Sequence, residues 1–402
     1  MGDGLHPQEA AVSIHPVRSK TGASSMLQKR VSACLERAVA EERLVGGVVI
    51  VAKDGEKAVE IAAGLADREA GRKMTADTIF RYSSLTKPIV AAAAMALVER
   101  GTIRLDDPVT RWLPAFAPKL PGGDPARIEV RHLLTHTAGL TYGMFQPAGG
   151  PYDEAGVSDG LAEPGLTMAE ELTRLARIPL EYSPGSAWGY SLAYDVLGEV
   201  LTRAAGATLP EVVASTVTGP LRMRDTAFSI VDPSRLAVPY VSGKPQRRMR
   251  DPEAVPFVPG TAGIRFSPSR IFNAESFVSG GAGMAGTAGD LLKLLTALGS
   301  GGAPILQPTS TRQMMTNQIG ALRITTEEKP AWGFGFGGAV LMDAALAGTP
   351  QGLGTWKWGG VYGHHWYVDP VNGLTVIATT STAIEGMAGG FVGQLMAAVY
   401  GG

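Results

Sequence analysis

The sequence predicts an α+β fold, bordering on α/β: one antiparallel sheet built from both chain ends, flanked by helices, plus a mostly helical lobe. Three observations predict it. Strand-like segments bounded by turn residues occur early and again late in the chain. Helical segments and many Pro and Gly residues fill the middle. The 402 residues, 45% hydrophobic and 18% charged, supply apolar surface for a large core. Residues 25–104 and 316–402 are assigned to the sheet lobe and 105–315 to the helical lobe. The polar, aperiodic residues 1–24 are assigned to a tail. A cleft between lobes is the expected place for a pocket.

The first element is an amphipathic helix, MLQKRVSACLERAVAEE. It carries the single cysteine, Cys34, so no intrachain disulfide is possible and a small core residue is expected there. Residues 45–53 (VGGVVIVAK) predict a buried strand. Asp54-Gly55 then turns the chain into a second strand at 57–63 (KAVEIAA). The Ala-rich spacing from Ile89 predicts a buried helix that stops near Gly101. Its apolar run, IVAAAAMALV, is bounded by Lys87 and Glu99 and is too short to span a bilayer. Thr167-Met168-Ala169-Glu170 is a capping box, and Thr287 with Asp290 resembles another before LLKLLTAL. Strands follow at 339–342, 355–358 and 365–368. Asn372-Gly373 turns into a strand at 374–379, and a helix at 387–400 closes the chain.

Composition excludes several function classes. A formal net charge of −1 supplies no field for nucleic acid or an anionic membrane. The basic run at 244–250 (KPQRRMR) is broken by Pro245, is followed by Asp251, and is expected to be a solvated loop. The N-terminal stretch lacks the apolar region of a signal peptide, and its sixth position lacks the hydroxyl residue of a myristoylation site. A cytoplasmic location is the default expectation.

Ser84-Leu85-Thr86-Lys87 opens the Ala-rich helix. A spacing of three puts Ser84 and Lys87 on one face, one turn apart. Free N–H groups and the positive dipole end favour an oxyanion there and a neutral neighbouring lysine. A serine hydroxyl is a weak nucleophile that needs such a base. By itself Ser-x-x-Lys is a short pattern that also recurs on solvated helix surfaces.

Four ordered segments give it context: RYSSLTKP at 81–88, HLLTHTAGL at 132–140, PGSAWGYSLAYDVLG at 184–198 and WKWGGVYG at 356–363. Together they resemble the serine β-lactamase and penicillin-binding-protein superfamily, and within it the class C-like family VIII carboxylesterases, from about residue 44 onward. The resemblance implies a β-lactamase-like fold, a small-molecule ester as substrate, and no cofactor or metal. It implies Ser84 as nucleophile, Lys87 as its partner and Tyr190 as proton shuttle. Whether Lys87 or Tyr190 is the base stays open. The implied oxyanion hole is the N–H pair of Ser84 and Val361, with Gly359 and Gly360 allowing close approach. Tyr142 and Trp358 are implied cleft walls, and Met144, Phe145 and Tyr152 belong to a loop over it.

Two departures favour a neutral ester over an anionic lactam. Trp358-Gly359-Gly360 stands where β-lactamases carry Lys-Thr-Gly, and strand alternation turns Lys357 to the other face. Leu192 stands where the Tyr-x-Asn motif has its amide. The rivals are an acyltransferase on the same scaffold, a β-lactamase or D-amino-acid peptidase, and a non-catalytic scaffold.

Other motifs are decoys. Gly156-Val157-Ser158-Asp159-Gly160 spells a nucleophile elbow but lacks a strand before it and a helix after it. Lys20-Thr21-Gly22 lies in the tail. The GxGxxG at 333–338 leads into a strand, against dinucleotide binding. His132 and His136 have zinc-helix spacing without the glutamate or a third ligand, so a structural pair is expected. His364 and His365 alternate faces, so at most one faces the site, and packing is expected.

Overall fold

The structure, a computed structural model, describes residues 22–401. Its centre is an eight-stranded antiparallel sheet. The spatial order is Trp332–Phe334, Ala339–Leu341, Trp356–Gly360, His364–Asp369, Leu374–Thr380, Gly46–Lys53, Glu56–Asp67, Arg72–Lys73. The two chain ends meet where Gly46–Lys53 pairs with Leu374–Thr380, Val49 opposite Ala378 and Ile50 opposite Ile377.

Gly46–Lys53 is an unbroken apolar run because both of its faces are covered. Val49 and Val51 join Leu35, Tyr367, Phe391 and Leu395 in a core under helices Gly22–Ala40 and Gly390–Tyr400. Val48 and Ile50 belong to the main core, with helices Thr86–Glu99 and Ala288–Gly299. Cys34 is buried in the first of these cores, and burial pushes its thiol pKa up.

Every residue from Thr86 to Leu97 is buried, so this helix is apolar all round and lies inside the molecule. Its far side packs on helices Ala193–Ala205 and Leu209–Val213. The main core therefore runs without interruption from the sheet into the middle of the chain.

Several elements differ from the sequence expectation. The first helix begins at Gly22, inside the expected tail; residues 1–21 lie outside the described residues. Both capping boxes are only half formed. Thr167 and Thr287 accept from the backbone N–H three residues on. Glu170 is drawn instead to Arg174, and Asp290 to the Asp225 N–H, Thr226 and Lys293. The closing helix is broken at Gly389, where the Glu385 carboxylate accepts from Phe391 N–H and starts a new helix. The short strands Trp332–Phe334 and Arg72–Lys73 carried no clear alternation. Within the basic run, Arg247–Arg248 pairs with Tyr240–Val241 rather than staying a loop. Among the described residues no helix is long and apolar enough to cross a membrane.

Candidate active site

Strand Phe80–Arg81 leads into a single 3-10 turn, Ser83–Leu85, which runs on into helix Thr86–Glu99. Neighbours pin this turn from several sides. Tyr82 N–H donates to Met284 O, the Tyr82 hydroxyl to Thr287 O at 2.6 Å, and Met284 N–H to Thr86 Oγ1. On the other flank His364 Nε2 lies 2.8 Å from Arg81 O, while Thr380 N–H points at Nδ1. Burial pulls the His364 pKa down to about 4, so it is a neutral brace. Ser83 takes φ +47°, a left-handed conformation that costs a non-glycine residue about 1–3 kcal/mol. Its hydroxyl donates to Tyr82 O at 2.6 Å.

The strained turn presents Ser84, which is 8% exposed, against a Lys87 that is wholly buried. Lys87 Nζ donates to three oxygens: Ser84 Oγ at 3.2 Å, Tyr142 hydroxyl at 3.0 Å and Gly281 O at 2.9 Å. Tyr190 arrives from the segment before helix Ala193–Ala205, and its hydroxyl donates to Ser84 Oγ at 2.7 Å. Lys87 Nζ also lies 4.8 Å from the centre of the Tyr190 ring. The structure thus brings the three predicted residues into one contact cluster.

Trp358 Nε1 donates to the Tyr190 hydroxyl at 3.2 Å, and the two rings lie 5.0 Å apart. Trp358, half-buried, is therefore a hydrogen-bond partner of the tyrosine. Gly360 sits against the Ser84 turn. A Cβ there would lie 2.6 Å from both Ser83 Oγ and Tyr82 O, so only glycine lets Val361 come this close. Lys357 takes other partners: Glu327 at 2.8 Å and the Trp332 ring, 3.9 Å from its centre.

Several residues singled out in the sequence, expected cleft walls and decoy alike, are buried. Tyr142 is 2% exposed, so it is a partner of Lys87 more than a cleft wall. Burial, with Tyr190 and Asp195 nearby, pushes its pKa well above the usual phenol range, which keeps it a neutral acceptor. Leu192 is fully buried and faces the core. Met144 and Tyr152 are buried too, and Phe145 remains at the rim, its ring 6.4 Å from that of Tyr190. Ser158 is buried, its hydroxyl donating to Ala162 O and accepting from Gly160 N–H.

The histidine pair divides. His132 Nδ1 accepts from Glu129 N–H at a helix start. His136 is fully buried 4.8 Å from the Tyr190 ring, and its Nδ1 faces Ser191 N–H and Oγ. Burial and the Lys87 charge hold its pKa well below the usual value, so it packs as a neutral ring. Among the described residues no group of three or more His, Cys, Asp or Glu is placed to hold a metal ion.

Sequence reasoning missed Asp195. It lies in the first turn of helix Ala193–Ala205, buried, and accepts from Ser279 Oγ at 2.5 Å and Gly281 N–H at 3.2 Å. The available signal was a lone carboxylate in an otherwise apolar helix start, AYDVLG.

The fold and this cluster define a serine hydrolase of β-lactamase architecture. The Beta-lactamase family profile matches residues 31–399, and the chain belongs to that family. It is similar to Esterase EstB of Burkholderia gladioli, with 48% identity over 97% of this chain and 99% of that one. In structure it is similar to EstCE1, a hydrolase with promiscuous acyltransferase activity. The TM-score is 0.91 at 44% identity, covering 94% of this chain and all of that one. Simvastatin synthase (LovD) from Aspergillus terreus shares the fold at a TM-score of 0.70 and 21% identity, over 92% and 97% of the two chains.

Proposed function

We propose that this protein is a carboxylesterase of the family VIII type, cleaving short- to medium-chain carboxylic esters through an acyl-enzyme on Ser84. One observation carries the reading: Tyr190 and Lys87 converge on Ser84 Oγ at 2.7 and 3.2 Å, the lysine wholly buried and the tyrosine half-buried. Both contacts now donate to Oγ; reversed, the same path takes the Ser84 proton away. Oγ then bonds to the ester carbonyl carbon, and the N–H groups of Ser84 and Val361 receive the oxyanion. The alcohol leaves with the proton returned through Tyr190. Water, deprotonated by the same pair, attacks the acyl carbon, and Ser84 recovers its proton as the acid departs.

Phe145 and Trp358 pack on Tyr190 as an aromatic rim, and Lys357, beside Trp358 in the strand, is held by Glu327. That chemistry suits a neutral ester over an anionic β-lactam. The EstB relative supports the same choice. Ser84→Ala should reduce turnover of p-nitrophenyl butyrate by about 10³-fold or more, while Ser158→Ala keeps it. An alkyl phosphonate should label the wild type on Ser84. Retained turnover in Ser84→Ala, with loss in Ser158→Ala, refutes the assignment. Acyl transfer is the second reading, favoured by the EstCE1 likeness and the apolar rim. Ester products formed with an added alcohol distinguish it from hydrolysis.

A further inference from the structure

Lys87 holds its place through three acceptors, and two of them, Ser84 and Tyr142, belong to the reaction cluster itself. The third is the carbonyl of Gly281, in a loop that is neither helix nor strand. Asp195 fixes that loop. Its Oδ1 accepts from Ser279 Oγ and from Gly281 N–H, while Ser279 Oγ also accepts from Ala282 N–H. Both the N–H and the C=O of Gly281 are therefore engaged, one by the carboxylate and one by the ammonium.

The second carboxylate oxygen, Oδ2, is buried and has no hydrogen-bond partner. It lies on the lysine side of the loop. A Cβ built on Gly281 would be 3.2 Å from Asp195 Oδ2 and 3.4 Å from both Lys87 Nζ and the Tyr142 hydroxyl. A buried carboxylate with an idle oxygen is expensive unless a nearby cation offsets it. Burial raises the Asp195 pKa, and the Ser279 and Gly281 hydrogen bonds with the charges of Lys87 and Arg270 work against that rise. The remaining titratable groups around the pair are Tyr142, Tyr190, Tyr194 and His136 near the lysine, and Glu171, on which the Asp195 charge acts.

We propose that Asp195 is a positioning residue for the Ser84–Lys87–Tyr190 relay: it anchors Gly281, whose carbonyl aims Lys87, and it supplies the buried negative charge that balances the ammonium. This rests on the reading of Lys87 and Tyr190 as the groups that take the Ser84 proton. Asp195 never touches substrate; it acts through Gly281 and through its field.

Asp195→Asn keeps the shape and an acceptor oxygen and removes the charge. It is expected to lower kcat on p-nitrophenyl butyrate about tenfold or more with KM little changed. Because removing a negative charge lets neighbouring acids lose protons more easily, the acid limb of kcat/KM should move to lower pH by about one unit. Ser279→Ala keeps the charge but removes one anchor. It should lower kcat several-fold with the limb in place.

An Asp195→Asn enzyme within threefold of wild type, with its limb unmoved, overturns the proposal. So does a fall with no shift of the limb, which is what plain packing damage gives. If Asp195→Asn does not melt cooperatively, an unchanged kcat in Ser279→Ala overturns it instead. Phosphonate labelling, run in parallel, keeps the two readings apart. A wild type that does not label on Ser84 defeats the functional reading, whereas equally fast labelling of wild type and Asp195→Asn defeats only the role of Asp195.

Discussion

Replacing Tyr190 with phenylalanine separates chemistry from packing, because the ring and the hydroxyl have different neighbours. The ring sits among His136 at 4.8 Å, Trp358 at 5.0 Å and Tyr142 at 5.1 Å, and Tyr190→Phe leaves these contacts in place. Only two hydrogen bonds are lost, one to Ser84 Oγ and one from Trp358 Nε1. At about 0.5–1.5 kcal/mol each, the stability loss is about 1–3 kcal/mol. A chain of this length has an unfolding entropy near 0.8 kcal/mol/K, so Tm should fall by only about 1–4 °C. The kinetic effect should be far larger. General acid–base catalysis contributes about 10²–10⁴-fold, or roughly 3–5 kcal/mol of barrier. The assay compares kcat/KM for a p-nitrophenyl ester and the matching alkyl ester, with Tm measured on the same samples. A nitrophenolate leaves without needing a proton and an alkoxide does not, so the alkyl ester should lose more. A folded Tyr190→Phe enzyme within tenfold of wild type on both esters would refute the role of the hydroxyl. An equal loss on both would move the leaving-group proton to Lys87.

Two other outcomes follow from close packing and from buried charge. In Gly360→Ala the new Cβ meets the Tyr82 carbonyl, which cannot rotate away, so strand Trp356–Gly360 must retreat from the Ser84 turn. Overpacking should destabilise by about 1–3 kcal/mol and cut kcat at least tenfold; Gly393→Ala, whose Cβ meets nothing within 4 Å, is the control that should melt no lower than wild type. Glu171 is buried and its pKa is pushed up to about 8, chiefly by burial, against about 4.3 in an unfolded chain. Between those values the folded protein keeps a proton that the unfolded chain has released, so this group's stability contribution is present at low pH and declines as pH rises toward 8. Glu171→Gln should therefore gain Tm relative to wild type from pH 5 to pH 9; a difference that stays constant with pH removes Glu171 as the cause.

That Ser84, Lys87 and Tyr190 belong together was legible in short order: Ser84 and Lys87 by helical spacing, Tyr190 and Trp358 by the ordered segments around them, and the structure brings them into contact. The sheet was legible from its apolar runs, since burial of both faces leaves a continuous signal in Gly46–Lys53. Turn-length strands such as Arg72–Lys73 were not, because two residues cannot display an alternation.

By itself the sequence determined which groups are available: a serine one turn from a lysine, a tyrosine, and a tryptophan in place of the late cation. Only the tertiary structure decided which of them meet. Asp195 and Ser279 are 84 residues apart in sequence, and Lys87 and Gly281 are 194 apart. Local periodicity carries no information over such spans. The same holds for Tyr142, whose residue type suits a cleft wall but which is buried against Lys87. Distance along the chain hides a partner, and only packing reveals which side chain the lysine finds.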